Sequence, residues 1–155
     1  MSGRDRMLPL EGVRTRIMRV WLIGAGSTAF LLVVISILRG RSDAARDIWS
    51  WFLPLVLPTL GLMIGVVGAA AAGGNVEGRV RKSFVDIAIG LSMAYLAVLA
   101  LTVLMEPFSP LKGSALYAMS NYYLGPFQGL VVAALGYLFT SGKSTPDAPG
   151  KKQDD

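Results

Sequence analysis

Four long apolar runs dominate the chain, at residues 20–38, 48–72, 84–105 and 122–140, and the charged residues gather between them. Each run is near the ~20 residues that a helix needs to cross about 30 Å of hydrocarbon at 1.5 Å per residue. The pattern predicts an all-α fold: an integral membrane bundle of four transmembrane helices. The second run is the longest and predicts a tilted or kinked span. Aromatic residues mark the ends of the runs. Trp49, Trp51 and Phe52 open the second, Tyr122, Tyr123 and Phe127 open the fourth, and Trp21, Phe84, Tyr137 and Phe139 lie at the opposite ends. That is the distribution of an interfacial belt. Only Phe30 and Tyr95 fall near mid-span.

The start of the first run, "VWLIGAGSTA", carries a different signal. Gly24, Gly26 and Ala29 match the G-x-G-x-x-G/A spacing of a dinucleotide-binding turn. Such a turn needs a strand, a helix, a second strand and an acid about 20 residues on. Asp43 stands at a suitable distance, but the chain runs on through "FLLVVISIL" to Arg39, with no room for a helix and a second strand before Asp43. The glycines fit better inside one uninterrupted helix. Gly24 and Thr28 then share a face, as do Ala25 and Ala29, and a second helix can approach closely there. The run is also too long for the apolar core of a cleaved signal peptide, and "SILRGRS" is a poor cleavage site. It predicts a retained signal-anchor helix.

Composition supports the membrane reading. Apolar residues make up 53% of the chain and charged residues 16%, where a soluble domain carries about 25% charged. There is no cysteine and no histidine. Disulfides, thiolate or imidazole metal sites, His or Cys haem ligation, and Ser-His or Cys-His nucleophile pairs are therefore excluded. No cofactor is expected. The net charge of +5 reads as cations facing anionic lipid headgroups. Nucleic acid is not an expected partner, because no basic patch is interleaved with stacking aromatics.

The charges also orient the chain. With both termini inside, eleven of the 15 Lys and Arg residues face the cytoplasm and four face outward, so the positive-inside rule gives N-in, C-in. Arg14, Arg16, Arg19, Arg79, Arg81 and Lys82 are the expected headgroup contacts. Residues 1–19 read as a basic, partly amphipathic cytoplasmic segment lying along the inner surface. Residues 20–140 form the four-span domain. Residues 141–155, "SGKSTPDAPGKKQDD", read as a disordered cytoplasmic tail. Between the third and fourth runs, Ser109 and Pro110 predict the start of a short outer-surface helix facing the membrane through Leu111, Ala115 and Met119.

Few residues offer chemistry. Asp86 is the one acid inside a run, and intramembrane acids are functional candidates by default. It lies near the start of its helix, four residues after Lys82, where a local salt bridge and the helix dipole account for it. Glu106, at the other end of that helix, is expected in solvent about 30 Å away, too far for acid–base partnership. Gln128 stands about one turn into the fourth run and must find a partner in lipid, most simply by cross-linking helices.

Small residues and prolines carry the remaining signal. Pro54 and Pro58 free carbonyls one turn back and should kink the second helix. Gly61, Gly65 and Gly68 follow as a flat ridge. The fourth helix repeats the device with Gly125, Pro126, Gly129 and Gly136. Such faces pack helices closely, within one bundle or between copies.

Three function classes follow. The first is a non-enzymatic inner-membrane protein that acts on the bilayer as a self-assembling, channel-like or permeabilising oligomer, a profile similar to holin-like proteins and to membrane effectors of cell-death or phage-defence systems. The second is an anchor or accessory subunit whose basic ends hold a cytoplasmic partner protein or whose spans hold a membrane partner. The third is a small transporter using Asp86 and Gln128. The chain departs from the small multidrug exporters, which carry a Glu in their first span; this first run has no acid.

Overall fold

The computed structural model describes residues 7–39, 42–71, 78–111 and 113–140. Four helices form the body: α1 (Leu10–Arg39), α2 (Ser42–Ala71), α3 (Lys82–Met105) and α4 (Gly113–Thr140). All four are long and apolar enough to cross a membrane. The tail, residues 141–155, and residue 72 lie outside the described residues.

The helices form a ring in which α1 and α4 each pack on both α2 and α3. Contacts between named residues fix the directions. Phe84 meets Tyr137 and Tyr95 meets Phe127, so α3 and α4 run antiparallel. Trp51 meets Tyr117 and Pro54 meets Gln128, so α2 and α4 run parallel. The start of α1 and the end of α4 lie at the same end of the bundle, where Arg14 donates from a guanidinium nitrogen to the carbonyl oxygen of Phe139.

Two short strands add to the expected all-α fold. β1 (Met7–Pro9) precedes α1, β2 (Arg79–Arg81) precedes α3, and the two pair antiparallel with Leu8 opposite Val80. The amide of Leu10 extends the ribbon by donating to the carbonyl of Gly78 at 3.1 Å. "Arg-Val-Arg" is a strand pattern in miniature: Arg79 and Arg81 point outward and Val80 is buried. The ribbon ties together the starts of two parallel helices, α1 and α3.

Two other boundaries differ from expectation. Helix α1 begins at Leu10 and runs without a turn to Arg39, so residues 10–19 and the first apolar run form one continuous helix. Leu10, Val13 and Ile17 are buried in the bundle, and that apolar stripe holds the segment in line. Likewise α4 starts at Gly113 and absorbs the segment expected as a separate outer helix. Tyr117 and Ser120, buried against Trp51, anchor these first turns to α2. Ser109 Oγ does accept a local bond, from the amide of Leu111 at 3.1 Å.

Candidate functional site

The bundle is organised around Tyr95. Its side chain is fully buried at the middle of α3 and reaches all three other helices. The ring stacks on Trp21 of α1 at 5.9 Å between centroids and meets Phe127 of α4 edge-on at 5.6 Å. The hydroxyl donates to the carbonyl oxygen of Leu55 in α2 at 2.9 Å. Each aromatic pair of this kind contributes about 0.5–1.5 kcal/mol beyond its buried area. Trp21, Trp51, Phe52 and Phe139 are likewise buried among the helices, so these four serve the core rather than a belt.

A second polar link lies beside the first. Pro58 has no N–H, so the carbonyl of Pro54, four residues earlier, loses its helical donor. The Gln128 amide of α4 supplies one, from Nε2 at 3.1 Å. Gln128 thereby links α4 to α2. Pro54, Pro58 and Pro126 all sit inside continuous helices.

Three more buried polar atoms, Trp21 Nε1, Thr59 Oγ1 and Ser92 Oγ, have no hydrogen-bond partner among the described residues. Thr59 is one turn after Leu55, and Ser92 is one turn before Tyr95. The bundle's centre is otherwise filled by apolar side chains, including Leu32, Met63, Leu99, Leu124 and Leu135.

The glycines divide into two kinds. A Cβ built on Gly24 would stand 2.7 Å from Leu96 Cδ1, so Gly24 marks the close crossing of α1 and α3. This is the first glycine of the nucleotide-loop pattern, and it lies in the middle of a helix. Gly61, Gly65, Gly68, Gly125, Gly129 and Gly136 behave differently. A Cβ at any of them would meet nothing within 4 Å. Among the described residues nothing packs on these ridges, because the helices present them away from the bundle's own core.

The charged candidates also separate. Asp86 is half exposed and accepts from Lys82 Nζ at 2.7 Å, the i,i+4 pair expected on one helix face. Arg16, Arg19, Arg79 and Arg81 are exposed, at the end of the bundle that holds the ribbon. Arg14 is a correction. Only 9% exposed, it bonds Phe139 and lies 5.7 Å from that ring's centroid instead of facing outward. The last carbonyls of α4 attract it, as a helix C-terminus attracts any cation. Glu106 is also not free in solvent: its Oε1 lies 3.0 Å from where a Cβ on Gly113 would stand, at the first turn of α4. A helix start favours such a carboxylate.

Comparison with protein-family models, with curated proteins and with solved structures finds no match.

Proposed function

We propose that the chain is a multi-pass protein of the bacterial inner membrane, with both termini in the cytoplasm, and that it acts on the bilayer itself by assembling with further copies into a channel-like or permeabilising oligomer. One observation carries this reading. The small-residue ridges Gly61-Gly65-Gly68 and Gly125-Gly129-Gly136 are unused by packing among the described residues. In lipid, an outward ridge of small residues is a place where a second helix can approach closely. Because the centre of each bundle is filled by side chains, a water path would run between copies rather than through one. The cations at the ribbon end suit the cytoplasmic face by the positive-inside rule.

The transporter reading loses support. Gln128 is engaged with Pro54, and Asp86 is paired with Lys82 at the edge of the bundle.

The test is inner-membrane potential and dye entry after induced expression in a bacterium. Wild type is compared with Gly65→Leu and Gly129→Leu, alongside chemical cross-linking of copies. Leucine also improves helix propensity over glycine, and a Cβ at either site meets nothing, so each protomer should still fold. The expected result is rapid depolarisation by the wild type, with both depolarisation and cross-linked oligomer lost in the variants. Variants that still depolarise would refute assembly through these ridges. A polarised, growing cell from which the protein is extracted with a different polypeptide would instead establish the accessory-subunit reading.

A further inference from the structure

An open apolar groove of about 240 Å³ runs between α1 and α2. On its α1 side, Trp21 and Leu22 stand at one end and the small residues Ala25, Gly26 and Ala29 follow. Trp49, Leu53, Val56 and Leu60 line its α2 side. These four positions are three or four residues apart and form one stripe. Exposed Arg46 falls on the same stripe, one turn before Trp49. The groove is therefore apolar along its length and has a cation just beyond one end.

Its dimensions select the occupant. From Trp49 to Leu60 the stripe rises about 16 Å at 1.5 Å per residue, close to the depth of one leaflet of a ~30 Å hydrocarbon core. An apolar stripe of that depth with a cation one turn beyond its end has the layout of one acyl chain and its phosphate. We propose that the α1–α2 groove binds an anionic phospholipid, with one acyl chain lying between Gly26 and Val56 and the phosphate paired with Arg46. The site rests on the four helices spanning a bilayer and is independent of self-assembly, since the glycine ridges of α2 and α4 do not line it.

Gly26 provides the means of testing this. A Cβ there meets nothing within 4 Å, so Gly26→Leu projects a side chain into the groove from an open position. The protein is extracted in mild detergent from bilayers of phosphatidylglycerol and phosphatidylethanolamine, and retained lipid is counted by native mass spectrometry. The expected result is one phosphatidylglycerol per wild-type chain, with occupancy reduced about tenfold or more in Gly26→Leu, because several buried methylenes lose their contacts. Arg46→Gln should abolish the preference for phosphatidylglycerol over phosphatidylethanolamine. Gly65→Leu should leave the lipid count unchanged, which separates this site from the assembly ridges. Equal lipid retention by wild type and Gly26→Leu would overturn the proposal. So would efficient disulfide cross-linking of two copies through Gly26→Cys, the only thiol in a chain without cysteine, because it would place a second copy in the groove.

Discussion

Gln128 donates through Nε2 to the carbonyl oxygen of Pro54 at 3.1 Å, and that oxygen lacks a helical donor because residue 58 is proline. The pair makes a conditional prediction. Gln128→Leu should cost about 1 kcal/mol of bundle stability, the usual worth of an interhelical hydrogen bond in a membrane. Pro58→Ala restores an N–H to the Pro54 carbonyl, and in that background Gln128→Leu should cost close to nothing. Unfolding in mixed micelles with increasing denaturing detergent measures both. Equal costs in the two backgrounds would show that Gln128 acts elsewhere.

Tyr95 offers a graded pair of substitutions. Tyr95→Phe keeps both ring contacts and loses the bond to Leu55, so a loss of about 1 kcal/mol is expected. Tyr95→Ala removes the ring that touches Trp21 and Phe127, and the loss should be about 3–5 kcal/mol. Helicity against temperature in detergent would report the order. If Phe and Ala prove equally damaging, the hydroxyl rather than the ring dominates.

The two kinds of glycine should respond oppositely. Gly24→Ala sets its Cβ against Leu96, and the overpacking cost of about 1–3 kcal/mol is offset in part by about 1 kcal/mol of helix propensity. Leu96→Ala in the same chain should recover part of that loss. Gly65→Ala meets open space and should leave an isolated protomer unchanged or slightly more stable through helix propensity. Comparing midpoints at a protein dilution where only single copies exist isolates this effect from assembly.

Arg14 should behave as a packed residue and not as a headgroup contact. Arg14→Ala removes a charged donor from the Phe139 carbonyl and should cost about 1.5–3 kcal/mol, with faster hydrogen exchange in the last turn of α4. Arg16→Ala, at an exposed position in the adjoining turn, should change neither. Similar exchange in the two variants would return Arg14 to the surface role.

The sequence revealed what depends on one helix at a time. Run length alone located the four long apolar helices, and the missing N–H of a proline is a property of residue 58 wherever its neighbours lie. Gly24 was readable as a contact face because Thr28, Ala25 and Ala29 surround it on the same helix. Rotation of one helix against another was not readable. Glycine spacing at 61, 65 and 68 describes a flat strip but not whether it faces the bundle or away from it. Arg14 failed for the same reason: a basic residue at a span's edge looks alike in sequence whether it meets a phosphate or the end of a helix 125 residues later. Tyr95 carried a usable clue, as one of only two aromatics near mid-span. The ribbon was missed because three residues are too few for alternation to register as a strand.

The ribbon has a consequence for biogenesis. Met7–Pro9 emerges from the ribosome some 70 residues before its partner Arg79–Arg81. The first helical hairpin is therefore complete while its leading strand still has an open hydrogen-bonding edge. Only when α3 begins can that edge be closed, which makes the ribbon a stitch between two successively made halves. A chain arrested after α2 would be built but unfastened.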